Sequence, residues 1–128
     1  MSYFFSKKVA MNFENAVTKV TEELKKEGFG ILTEIDVKAT LKKKLDVDFR
    51  KYSILGACNP AFAYKALQAE PHIGTMLPCN VIVQELAEGE VEVAAVDPLA
   101  SMQAIPNQEL QAIAKEIQLK LKRVIDQL

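Results

Sequence analysis

From Leu110 to Leu128, apolar side chains recur every three or four residues: Leu110, Ile113, Ala114, Ile117, Leu121, Val124, Ile125 and Leu128. That period draws one continuous apolar stripe along an α-helix, and Pro106 marks where the helix is introduced. A stripe of this length needs an apolar surface to lie on, because helical stability in a folded protein comes mostly from burying such a face. The rest of the chain must therefore supply one.

A second helix follows the same logic. Asn12 is a suitable N-cap, Glu14 lies in the first turn, and Phe13, Val17, Val20 and Leu24 repeat at helical spacing. Lys25 and Lys26 sit where the helix dipole favours cations, and Gly28 provides a C-terminal stop.

The surface for both helices reads as strands. Tyr3 to Val9 has aromatic and β-branched character, with Tyr3, Phe5 and Val9 on one face. Phe29, Ile31, Ile35 and Val37 are expected on one side of the next strand, with Glu34 and Asp36 on the solvated outer side. Tyr52 to Cys58 forms a third, in which Gly56 marks a bulge or a close approach. Leu77, Cys79, Val81 and Val83 alternate inward on a fourth, and Ala87-Glu88-Gly89 turns into Val91, Val93 and Ala95. Asp97-Pro98 ends that fifth strand.

Two short helices complete the pattern. Asp36 caps one carrying Val37, Leu41 and Leu45, and Asn59-Pro60 opens another that Pro71 limits to about Ala69. Leu99 to Ile105 has no clear period and reads as a packed loop at a pocket mouth or a second subunit. The expectation is an α+β fold in the order strand, helix, four strands, helix. Its sheet is mostly antiparallel and covered on one face by the two long helices. Residues 1–128 read as a single domain.

Charge narrows the partners. Sixteen Lys and Arg face seventeen Asp and Glu, and the one dense basic run, Lys42-Lys43-Lys44, is followed by Asp46 and Asp48. Nucleic-acid binding through phosphates calls for a basic surplus or stripe, which is absent. Those lysines read as the solvated side of their helix. The opening residues lack the pattern of a secretory signal, and no apolar run approaches the ~18 residues of a membrane span. A cytoplasmic protein with free thiols and no membrane partner is expected.

Cys58, at the entrance of the helix after Asn59, has two readings. Unpaired amides there favour a thiolate, giving a nucleophile or a redox-sensitive sulfur. Alternatively it is a small buried hydrophobe. Asn59 is first a cap and second a ligand contact. Cys79 continues the alternation of its strand and so reads as core; if its strand neighbours that of Cys58, a reversible disulfide between the two thiols is open. Cys58, Cys79 and His72, with Glu34 or Asp97, include ligand types for zinc or another thiophilic ion, but the cysteines are not in a Cys-x-x-Cys pair. Glu34 and Asp36 could form an acid pair or be solvated. One histidine and no Gly-x-Ser-x-Gly elbow leave no hydrolase triad, and Gly28-Phe29-Gly30 follows a helix where a dinucleotide fingerprint would precede one. No reaction is specified.

Several segments together resemble one family. Gly28-Phe29-Gly30-Ile31-Leu32-Thr33-Glu34-Ile35-Asp36-Val37, Ile54-Leu55-Gly56-Ala57-Cys58-Asn59-Pro60, Leu77-Pro78-Cys79-Asn80-Val81 and Val96-Asp97-Pro98 are similar to a widespread prokaryotic family, the domain of unknown function numbered three hundred and two. The resemblance implies a small cytosolic α+β protein, TATA-binding-protein-like in outline, for which a homodimer is an option. It implies no activity, cofactor or catalytic residue, and fold likeness alone carries no function. The candidate ligand contacts are then Glu34, Asp36, Cys58, Asn59, Cys79, Asn80 and Asp97. Three functions compete: binding of a small ligand near Cys58, Asn59 and Cys79; a thiol- or metal-dependent redox protein or sensor; and a self-association module using the 99–105 loop or the N-terminal aromatics.

Overall fold

In the computed structural model, which describes residues 2–128, strand β1 (Phe4–Val9) leads into helix α1 (Phe13–Lys26). Strand β2 (Gly30–Asp36), helix α2 (Val37–Leu45), strand β3 (Tyr52–Cys58) and helix α3 (Pro60–Ala69) follow. A 3₁₀ segment (Pro71–Met76) then precedes strands β4 (Cys79–Ala87) and β5 (Glu90–Val96), the single turn α4 (Pro98–Ser101) and helix α5 (Gln108–Asp126). The strands form one sheet in the order β1-β5-β4-β3-β2, and every neighbouring pair is antiparallel.

The caps sit where their residue types direct. Asn12 Oδ1 accepts from the Asn15 amide at 2.7 Å, Asp36 Oδ1 from Ala39 at 2.9 Å, and Asn107 Oδ1 from Leu110 at 3.0 Å. Gly28, just past α1, has φ +88°, a conformation that costs a residue with a Cβ but not glycine. Lys7 Nζ donates to the Leu128 carbonyl at 2.6 Å, placing a cation at the carbonyl-rich end of α5.

One face of the sheet carries the main core. Leu55, Ala57, Cys79, Val81, Val83, Val91, Val93 and Ala95 pack beneath Val20 and Leu24 of α1 and Ile117, Leu121, Val124 and Ile125 of α5. Each fully buried leucine or valine here contributes roughly 1.5–3 kcal/mol relative to exposure. Ala66, Ile73, Met102, Leu110 and Ala114 form a second, smaller cluster at one end, under α3 and the 3₁₀ segment.

One expectation is corrected and two are refined. The alternation of β2 does not run through. Ile31 pairs with Ala57, but Thr33 pairs with Gly56, so Leu32 is an extra residue and the strand bulges there. The extra residue inverts the faces beyond it. Glu34 stands opposite Leu55 and Asp36 opposite Ser53, on the helix-covered side, while Ile35 stands opposite Ile54 on the outer side and is 47% exposed. Glu34 and Asp36 remain exposed because they lie at the sheet edge. The Leu99–Ile105 segment packs as expected at a pocket mouth, but not as an irregular loop. It begins as α4, and Met102 within it is only 5% exposed, packed with Leu99 and Ile105 on the second cluster. Lastly, α2 forms where Val37, Leu41 and Leu45 recur, but lies shallow on the fold: Val37 and Leu41 are half-buried and Leu45 is 67% exposed.

Candidate functional site

The two cores do not merge completely. Between them lies a cavity of about 310 Å³. Phe29, Ala57, Cys79 and Ile117 border it from the main core, and Ala66, Met102, Leu110 and Ala114 from the smaller one. Cys58, Asn59, Phe62 and Ala63 close the side formed by the end of β3 and the start of α3. Its lining is almost wholly apolar, and alanines at 57, 63, 66 and 114 leave the space that larger side chains would fill.

Asn59 sits at the N-cap position of α3 but makes no side-chain cap bond. Its Nδ2 instead donates to the Glu27 carbonyl at 3.2 Å. That bond joins the end of α1 to the start of α3 across Gly28. A Cβ on Gly28 would come within 3.1 Å of the Asn59 amide nitrogen, a second reason for glycine there.

Cys58 and Cys79 are both free thiols and both border the cavity. They lie on adjacent strands, one register position apart: Cys79 stands opposite Ala57. Offset by one position, they are not the directly opposed pair that best suits a cross-strand disulfide, although both reach the same cavity at the strand ends. Cys79 is 8% exposed, and burial, with the Cys58 thiol a smaller contribution, pushes its pKa up to about 11. Cys58 is half-buried.

The other candidates are scattered. Asp36 is occupied as the cap of α2. Asp97, 7% exposed, accepts from the Leu99 amide at 3.0 Å and from Gln118 Nε2 through both carboxylate oxygens at 3.2 Å, which fastens α4 to α5. Asn80 stands opposite Gly56 and faces outward, away from the cavity. The His72 side chain is 92% exposed, with Nδ1 3.4 Å from Glu70 Oε1. Among the described residues no three His, Cys, Asp or Glu side chains gather as a metal site. The pocket-mouth reading of Leu99–Ile105 holds, since Met102 lines the cavity, but the wall from α5 went unread. Met102 and Ile113 carried no chemical signal, and only their shared helical surroundings bring them to Cys79.

Comparison with known proteins now adds a decisive match. The model of the family described as "Domain of unknown function DUF302" matches residues 5–128. The chain belongs to the DUF302 family. A crystal structure described as an uncharacterised conserved protein DUF302 from Bacillus stearothermophilus is 27% identical, covers 98% of both chains and superposes with a TM-score of 0.91. No curated protein matches this DUF302 chain. Among its described residues, no helix is long and apolar enough to cross a membrane.

Proposed function

We propose that this DUF302 protein binds a small, mostly apolar molecule in the cavity between its two cores. The observation that carries the reading is the cavity itself: about 310 Å³, alanine-rich, walled by two helices and a strand end. Ligand sites are commonly concave and apolar with a few polar groups to set orientation, from about 300 Å³ upward. Here Cys58, Asn59 and Cys79 would supply those groups. An enclosed apolar void of about 150 Å³ accepts benzene, so a bicyclic ring or a short acyl chain is the size class that fits. Glu34, Asp36, Asn80, Asp97 and His72 are not assigned a part in it, since each is turned away or engaged elsewhere.

The raised Cys79 pKa keeps that thiol protonated at neutral pH, which supports a lining role over a nucleophilic one. Thermal melts with indole and with hexanol test the proposal, using wild type and the Ala63→Leu variant that fills the cavity. A saturable rise in melting temperature is expected in wild type and not in the variant, since a ligand at one hundred times its Kd adds about 2.7 kcal/mol. If neither probe shifts wild type at millimolar concentration, the ligand reading fails.

A further inference from the structure

The cavity between the two cores is apolar, yet positive charge gathers at one of its walls. Phe62, in the first turn of α3, lines the cavity and is half-buried. Lys65 Nζ stands 5.4 Å from the centroid of its ring, and Lys120 Nζ of α5 stands 5.8 Å from it. Each lysine follows a cavity-lining residue by one helical turn, Phe62 on α3 and Ile117 on α5. Two helices thus bring their cations to the same ring.

Little nearby neutralises them. Among the described residues Lys65 makes no ion pair. Lys120 lies 3.9 Å from Glu27 Oε1, but Arg123 already holds that oxygen at 2.9 Å. Glu116, one turn before Lys120, and Glu70, just past α3, pair with neither lysine. Like charges drawn to one ring repel each other, and the attraction of an exposed ammonium to a phenyl face is small. An anion placed between them removes that repulsion.

We propose that the ligand of this cavity is an anionic amphiphile, a carboxylate on a short acyl chain. Its tail lies in the cavity and its head meets Lys65 and Lys120 beside Phe62. The inference rests on the cavity reading above and adds the charge of the ligand's other end. Ala66, Ile113, Ala114 and Ile117 supply an unbroken apolar wall for the tail. Ligand pockets commonly combine such walls with a few charged groups that fix orientation. Lysine suits a rim, because its stem lies along apolar surface while the ammonium stays in water. A neutral head leaves both ammonium groups unpartnered, and a cationic head adds a third like charge. The site therefore selects by sign as well as by size.

Calorimetric titration of the wild-type chain with octanoate, 1-octanol and octylammonium, at low and at high salt, tests it. Octanoate is expected to bind about tenfold more tightly than octanol, and octylammonium least tightly, with the differences shrinking at high salt. In a Lys65→Gln/Lys120→Gln double variant, checked for folding by circular dichroism, octanoate is expected to fall to the affinity of octanol, whose own binding is unchanged. Lys65→Gln alone breaks no ion pair and is expected to lose part of the preference. The inference is overturned, and the cavity reading kept, if octanol binds wild type as tightly as octanoate. It is equally overturned if a folded lysine variant keeps the full octanoate advantage. Binding of none of the three ends the cavity reading and this inference with it.

Discussion

Asn59 Nδ2 and the Glu27 carbonyl oxygen stand 3.2 Å apart, joining the last turn of α1 to the first of α3 over a glycine in the left-handed region. Since α3 forms one wall of the cavity, this bond positions the wall. Asn59→Ala is expected to cost about 1 kcal/mol, the net worth of a typical hydrogen bond. Asn59→Ser, an equally good cap that lacks the reach to Glu27, is expected to recover no more than part of it. Urea melts of the three proteins decide the point; equal stability for Asn59→Ser and wild type would mean that capping, not the tie, matters.

Gly56 is where two strands and a proline come closest. A Cβ there would overlap Thr33 Oγ1 and sit 2.8 Å from Pro78 Cγ. Gly56→Ala is therefore expected to destabilise by about 1–3 kcal/mol through overpacking. Adding Thr33→Ala removes one of the two clashes and is expected to recover part of that loss in a double-mutant cycle. Strictly additive effects would contradict the contact.

Cys79 should make the fold sensitive to alkali. Its folded pKa is pushed up to about 11, above the unfolded thiol value of about 8.5. Between those values the unfolded state has lost the proton that the folded state keeps, so stability is full below about pH 8.5 and declines as pH rises toward 11. Cys79→Ala is expected to flatten that alkaline limb. Iodoacetamide at pH 8 is expected to label half-buried Cys58 before Cys79, a sequence that peptide mass spectrometry reads directly.

Acid acts elsewhere. Arg123 donates to Glu27 Oε1 at 2.9 and 3.2 Å, and this bond holds the Glu27 carboxyl below its usual range despite some desolvation, with the charges of Arg123 and Lys120 assisting. A depressed carboxylate stabilises fully above the unfolded value of about 4.3 and loses that contribution as pH falls through the folded one. Glu27→Gln is expected to lower stability at pH 7 and to shrink the difference from wild type below pH 4, as followed by melting temperature. A constant offset at both pH values would remove the ion pair from the explanation.

How much of this was legible follows from particular residues. The Asn12 and Asp36 positions announce helix starts because capping is a bond within three residues, whereas the Asn107 cap after Pro106 went unread. The β4–β5 hairpin follows from its alternation and from Gly89, which takes φ +76° in the turn. Gly56 reads as a bulge or a close approach; the close approach is there, to Thr33 and Pro78, while the bulge lies across from it on β2 at Leu32. Asn59 reads as a cap in every local pattern and is drawn off by a carbonyl 32 positions away. Asp97 reads as a strand end, whereas its carboxylate also holds Gln118 of α5.

The linear chain determined its two long amphipathic helices, its strands and the placement of Cys58 at a helix entrance, since period, caps and turns are properties of neighbouring residues. Tertiary structure alone decided which way Glu34 and Ile35 face, which core Leu99 to Ile105 packs on, and that alanines from α3 and α5 leave a gap beside Cys79. The reason is physical: one inserted residue resets every side chain beyond it, and empty volume belongs to no residue until separate elements pack.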